Sequence, residues 1–247
     1  MARTVLIDAD IAAFQVATTA EEVFNFDGRH VLHADLNEGI DELNKLIEWI
    51  IETTDSDQAA LFLTGSENFR KTVLPTYKGN RKDVRKPMIL QGLKDHILTL
   101  PRSFLEEGLE GDDLIGIHAT KPHKGERVIY SADKDLQTIP GLHWDAEDGE
   151  VTEIDPVSAE LFFLEQVLTG DAVDNYKGCP GVGPVKAKKI IEKALEDDGN
   201  VWQAIVDAYE KAGLSEKDAI QQARCARILR HGEYDFEKGK VNLWTPQ

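Results

Sequence analysis

Residues 127–135 read RVIYSADKD: four strand-forming residues, then a small-residue turn, then two aspartates one residue apart. A short apolar run bounded by turn residues is the signature of a buried strand. It predicts Asp133 and Asp135 just beyond the strand's carboxyl end. The same shape recurs upstream. Val5-Leu6-Ile7 runs into Asp8, with Asp10 following, and Arg102–Glu106 is followed by Glu110-Gly111-Asp112-Asp113. Ala59–Leu63 supplies a further buried strand. Helical periodicity lies between the strands, over 35–54, after Pro87 and over 112–119. Leu142–Trp144 and Val151–Ile154 read as short β segments turned by Glu147-Asp148-Gly149. Strands alternating with helices predict a mainly parallel sheet flanked by helices. After Pro156 the pattern becomes helical only, over 158–168, 184–195 and 202–211. The division is therefore expected near Asp155, with an α/β domain over 1–155 and a helical domain over 156–247.

The 247 residues are 41% hydrophobic, enough for a sizeable core, with no apolar run long enough to span a membrane. The start, MARTVLIDAD, enters a strand at once, so no signal peptide is expected. Cys179 and Cys225 match no zinc spacing, and a reduced, cytosolic compartment is the simple expectation. A formal charge of −17 argues against indiscriminate nucleic-acid binding. An acidic protein nevertheless presents a positive groove when its basic residues are bunched.

Four acidic motifs stand out: Asp8 with Asp10, Glu110 with Asp112 and Asp113, Asp133 with Asp135, and Asp171 with Asp174. Parallel α/β sheets bind ligands outside the carboxyl ends of their strands, so these groups are expected to meet at one edge. Taken singly, each has a plain structural explanation as a helix cap or an acidic turn. Together they would repel unless protonated or bridged by cations. Oxygen donors without nearby Cys or His select hard ions, Mg²⁺ with Mn²⁺ as a substitute. Two such ions suit in-line attack on a phosphodiester.

The bunched cations lie in residues 70–90. Arg70, Lys78, Arg81, Lys82 and Arg85 are candidate phosphate contacts, at a spacing that puts several on one helical face. Tyr77 beside them is a candidate for stacking on a base. A second basic element, GCPGVGPVKAKK over 178–189, is a glycine-bearing hairpin leading into a helix. Gly181 and Gly183 let backbone N–H groups approach phosphate, with Lys186, Lys188 and Lys189 behind them. It lacks GK[ST], so no nucleotide cofactor is expected. Arg224, Arg227 and Arg230 form a third basic patch, for contact with DNA or with local acids.

The segments LIDAD, TGSENFRK, YKGNRK, EGDDLIG, SADKDLQTIPG, TGDAVDN, GCPGVGP and ARILRHGEYDF span nearly the whole chain. As a set they resemble the 5′-nuclease superfamily of flap endonucleases, and within it the 5′→3′ exonucleases of short-tailed bacteriophages. The resemblance implies a PIN-like α/β domain with a basic arch over 70–90. It also implies a helix-three-turn-helix module with a helix–hairpin–helix over 171–195. It implies hydrolysis of double-stranded DNA at a 5′ end or flap by two Mg²⁺ ions, in the host cytoplasm if the chain is phage-encoded, with an RNA/DNA hybrid as a further candidate substrate. Asp8, Glu110, Asp112, Asp113, Asp133, Asp135, Asp171 and Asp174 match the family's metal ligands. Lys78 and Arg81 match its pair that orients the scissile phosphate, and the hairpin is similar to one that holds K⁺. One departure is Gly65, where many members carry Asp. Either the remaining carboxylates still hold both ions, with help from Asp10 or Glu67, or one ion binds weakly. A PIN-type ribonuclease and a non-catalytic DNA-structure binder are the competing readings.

Overall fold

The structure, a computed structural model, describes residues 2–81, 84–145, 148–197 and 199–246. Val5, Leu6 and Ile7 are at most 2% exposed and form the middle of β1 (Arg3–Asp8). The other strands of its sheet are β4 (Gln58–Thr64), β5 (Ser103–Glu106), β6 (Glu126–Tyr130), β7 (Gly141–Asp145) and β8 (Glu150–Ile154). Their order is β5-β4-β1-β6-β7-β8. Pairing is parallel from β5 through to β7, and β8 returns antiparallel to β7. Asp8 sits opposite Phe62 and Ile7 opposite Tyr130. The carboxyl ends of the three central strands therefore finish together on one edge.

Successive strand residues face opposite sides, so two cores form. Val5, Ile7, Leu61 and Leu63 pack under α1 (Ala9–Thr19), α2 (Leu36–Thr53) and α4 (Leu90–Ile97). Leu6, Ala60 and Phe62 pack under α5 (Gly111–Thr120). The short helix α3 (Arg70–Val73) lies between β4 and α4 in the chain. Asp35 caps α2, its carboxylate accepting from the Asn37 and Glu38 amides at 2.8 and 3.2 Å. Asp155 does the same for α6 (Pro156–Thr169), with Pro156 at the first helical position, where its missing N–H costs nothing.

Beyond α6 come α7 (Pro184–Glu196), α8 (Val201–Lys211) and α9 (Glu216–Ala226), which share their own apolar core. The expectation of helices alone after Pro156 is corrected here. Strands β9 (Tyr234–Asp235) and β10 (Lys240–Val241) pair, and Ile228, Leu229 and Tyr234 join the core under α5. A Cβ on Gly116 would lie 2.4 Å from the Leu229 carbonyl oxygen, so this return needs glycine on α5. No described helix is long and apolar enough to cross a membrane.

Helices α1 and α3 have no counterpart in the sequence reading. Nor does an antiparallel ribbon of β2 (Glu22–Phe26) and β3 (Arg29–His33), exposed throughout. Asp27-Gly28 between VFNF and RHVL is the turn signal that announces it. The described residues form no helix at the cation spacing after Lys78: Gly79–Arg81 make a 3₁₀ turn, and Lys78 itself has φ +51°. Lys82 lies outside the described residues.

Candidate metal and phosphate site

The sheet's carboxyl edge collects the acidic residues. Asp8 ends β1 and caps α1; it is 5% exposed. Its Oδ1 accepts from the Ile11 amide at 3.2 Å and its Oδ2 from the Ser131 hydroxyl at 3.0 Å. Ser131 in turn accepts from the Asp133 amide at 3.0 Å, so one hydroxyl ties the end of β1 to the turn after β6. Asp133 caps that turn, accepting from the Asp135 amide at 2.9 Å. Asp135 accepts from the Gln166 amide of α6 at 2.7 Å. Ser131 and Gln166 were not singled out in the sequence; Ser131 lies within the SADKD run, whereas nothing local marks Gln166.

Glu110 caps α5 and is 7% exposed. It forms an ion pair with Lys78, whose Nζ is also 3.4 Å from Asp174. Arg81 reaches the other Asp174 oxygen at 2.6 Å. Asp171 turns inward on the loop, its Oδ1 accepting from the Val173 and Asp174 amides at 2.5 and 3.1 Å. Two cations of the basic segment thus stand against carboxylates from two distant segments.

The electrostatics record the crowding. Burial, then Asp10 and Asp133, push Asp8 up to about 6. Burial, then Asp8, Asp133 and Glu110, push Asp112 well above the carboxylate range. Burial, then Asp133, Asp171 and Asp174, push Asp135 up to about 6. Burial opposes ionisation of Glu110 as well, but Arg70 and Lys78 outweigh it and lower its pKa. Burial also opposes the charge on Lys78, and Glu110 and Asp174 more than restore it.

Among the described residues no three such side chains already converge on one point that would hold an ion. Glu110 and Asp174 are turned onto Lys78 and Arg81, Asp8 onto Ser131, Asp135 onto Gln166, and Asp133 and Asp171 onto backbone amides. The donor set nonetheless fits a divalent cation: all oxygen, several members strained by mutual repulsion, at the ligand-binding edge of the sheet. Because Asp8 and Asp135 keep their protons up to about pH 6, an ion must displace those protons below that value. Calorimetric titration with Mg²⁺ is expected to show binding about tenfold weaker at pH 5.5 than at 7.5. Equal affinity at both values would remove these carboxylates from the ligand set.

Several sequence expectations need correction. Asp113 is fully buried, and both its oxygens bind Arg70 at 2.7 Å, one of them also accepting from the Leu229 amide. It is an internal counter-ion with no oxygen turned to the pocket. Arg70, 2% exposed, is its partner and has no route to a phosphate. Tyr77 is also 2% exposed, so it cannot stack on a base. Its hydroxyl lies 2.6 Å from Asp174 Oδ2 and 3.0 Å from Glu110 Oε2, forming the floor of the site. Arg85 pairs with Glu21, away from the acidic cluster. A Cβ at Gly65 would lie 2.6 Å from the Glu106 carbonyl oxygen, so aspartate does not fit there without backbone movement. Asp10 does not take its place either, since its oxygens go to the Thr64 amide at 2.8 Å and Lys94 at 2.5 Å. Glu67 is exposed.

The second basic element is a hairpin between α6 and α7. Gly170 and Gly178 close its neck with φ near +65°, and a Cβ on Gly178 would fall 2.3 Å from the Gly170 nitrogen. Gly181 and Gly183 are open on their outer side, at the N-terminus of α7. Lys186, Lys188 and Lys189 are exposed just behind them. The third patch serves local pairing. Helix α9 ends at Ala226, and Arg227 and Arg230 bind Glu160, with Arg227 also binding Glu233.

A mainly parallel sheet with carboxylates gathered at its ligand edge, beside a glycine hairpin, defines the class as a nuclease of α/β type. The chain belongs to the 5′-3′ exonuclease family, whose N-terminal, resolvase-like domain matches residues 3–155. It is 29% identical to the exonuclease of Escherichia phage T7, over 98% of this chain and 93% of that one. It is also 29% identical to the exodeoxyribonuclease of Enterobacteria phage T3, over 98% and 92%. The fold is that of a T5 protein co-crystallised with metal ions, at TM-score 0.69 and 16% identity over 92% of this chain and 89% of that one. Flap endonuclease-1 from Methanococcus jannaschii aligns at TM-score 0.51 and 16% identity over 93% and 79%.

Proposed function

We propose that the chain hydrolyses DNA phosphodiesters at 5′ ends and 5′ flaps, with two Mg²⁺ ions drawn to Asp8, Glu110, Asp112, Asp133, Asp135, Asp171 and Asp174. Mn²⁺ suits the same oxygens. The observation that carries this reading is the meeting of carboxylates from four separate segments beside Lys78 and Arg81. Bound divalent ions would supply Lewis acidity for in-line attack of water on the phosphodiester.

The chain's own groups prepare the substrate. Lys78 and Arg81 are held by Glu110 and Asp174 until a phosphate competes for them. Lys78 stays protonated and offers a point charge; Arg81 offers a planar fork suited to phosphate oxygens. Tyr77 and Arg70 close the floor behind Glu110 against water. The α7 N-terminus with Gly181 and Gly183, backed by Lys186, Lys188 and Lys189, grips duplex phosphates without reading bases. K⁺ at the hairpin carbonyls would strengthen that grip. Residues 156–247 thereby serve as the DNA-holding unit and 1–155, completed by Asp171 and Asp174, as the cutting unit, acting in the host cytoplasm.

The test is a product-size assay on 5′-labelled blunt, recessed and flapped duplexes, with an RNA/DNA hybrid included. Short 5′ products that require Mg²⁺ and vanish with EDTA are expected. Cleavage that survives EDTA, or no cleavage of any substrate, would sink the reading. For Lys78→Ala, turnover is expected to fall about 100-fold with flap affinity changed far less, because phosphate orientation is what is lost. A variant that loses affinity but keeps turnover would reduce Lys78 to simple charge attraction.

A further inference from the structure

Gln166 lies on α6 within the helical part of the molecule, 6% exposed, yet its side chain enters the acidic pocket. Its Nε2 donates to Asp135 Oδ1 at 2.7 Å. A carboxylate oxygen accepts, so the amide must turn its nitrogen to Asp135, and its orientation is fixed. The other end, Oε1, is buried and has no donor among the described residues. Buried polar atoms are nearly all partnered in folded proteins, so an orphaned one marks a ligand, a water or a functional strain. Here the charged neighbours of Asp135 are the carboxylates Asp133, Asp171 and Asp174, only partly offset by Lys134.

Docking α6 does not require this amide. The turn after β6 is already fastened by buried Leu136 and Ile139 and by Arg230, whose Nη2 donates to the Thr138 carbonyl at 2.8 Å. An isosteric apolar residue at 166 would satisfy the packing and leave no orphan. An amide instead supplies two opposite polar functions at once, a donor for a carboxylate and a carbonyl oxygen that ligates hard cations or accepts from their waters.

We propose that Gln166 is a positioning residue of the ion site: its amide nitrogen holds Asp135, and its amide oxygen receives the hydration shell of a divalent cation bound by Asp133, Asp135, Asp171 and Asp174. This rests on the metal-dependent reading above. It also couples the helical part to the catalytic edge, since displacement of α6 moves Asp135 with it.

The test is calorimetric titration of Mn²⁺ alone into the full chain at pH 7.5, for the wild type, Gln166→Met and Gln166→Glu, with melting temperatures recorded in parallel. Gln166→Met keeps the length and volume and removes both polar functions. It is expected to stay folded, with Mn²⁺ affinity lowered about tenfold or more, the usual scale for a group that orients a ligand. Gln166→Glu restores an oxygen acceptor and is expected to recover most of that affinity, while melting lower without metal because a second carboxylate then faces Asp135. Wild-type Mn²⁺ affinity in Gln166→Met would overturn the proposal alone, as would failure of Gln166→Glu to recover affinity. Absence of Mn²⁺ binding by the wild type would overturn it together with the metal reading.

Discussion

Asp8→Asn is expected to abolish cleavage and, at the same time, to raise the melting temperature of the metal-free protein at pH 7.5. The two effects share one cause. Asp8 is 5% exposed, and burial together with Asp10 and Asp133 raises its pKa to about 6. A carboxyl group whose folded pKa lies above its unfolded value binds its proton more tightly in the fold. Its contribution is most favourable at low pH and is lost as pH rises from about 4 through 6. At pH 7.5 the ionised group opposes folding by about 2–3 kcal/mol, from a shift of about two units. Asparagine keeps an acceptor for the Ile11 amide and carries no charge. A gain of about 5 °C is expected at pH 7.5, shrinking towards zero at pH 4.5, where the wild type is largely protonated. Cleavage is expected to fall by about a thousandfold or more, several kcal/mol of transition-state stabilisation. Thermal melts at the two pH values with EDTA, beside a 5′-flap assay with Mg²⁺, measure both. A variant that melts lower than the wild type at pH 7.5, or that cleaves normally, would contradict the role given to Asp8.

The sheet was legible because its strands are apolar runs bounded by turns, and buried parallel strands announce themselves that way. The placement of Asp8 at the end of β1 and of Asp133 just beyond β6 followed from the same reading. What stayed hidden was hidden for physical reasons. Helix α1 packs Ala9, Ala12, Ala13 and Ala17 against the sheet, and small residues give little amphipathic contrast. The β2–β3 ribbon is exposed throughout, so no buried face organises its sequence. In the basic segment, composition was legible and destination was not. Arg70, Lys78 and Arg85 look alike as cations, yet one is internal, one faces the acidic pocket and one pairs with Glu21. Which fate each meets depends on carboxylates far off in the chain, Asp113 for Arg70, Asp174 for Lys78 and Glu21 for Arg85.

Arg70→Met is expected to be the most destabilising single change among the charged residues discussed above. Arg70 has five N–H donors, and five acceptors meet them. Asp113 takes two at 2.7 Å and Glu110 one at 3.2 Å, while the carbonyls of Cys225 and Arg227 take the others at 2.9 and 2.5 Å. One guanidinium thus joins α3, the start of α5 and the chain leaving α9. Removing it strands Asp113, fully buried, and deprives Glu110 of its main counter-charge. Breaking a buried pair from one side costs about 3–5 kcal/mol, so a fall of about 10 °C or more in melting temperature is expected. Arg70→Lys supplies a point charge without the fork and should fall between. The double change Arg70→Met with Asp113→Leu should recover part of the loss, because it removes both charges rather than orphaning one. A role at phosphate makes the opposite forecast, a selective loss of DNA affinity with stability intact. Melts of the three variants, read beside flap binding by the folded protein, separate the two. Retained stability with lost binding would place Arg70 on the DNA and return Asp113 to the metal ligands.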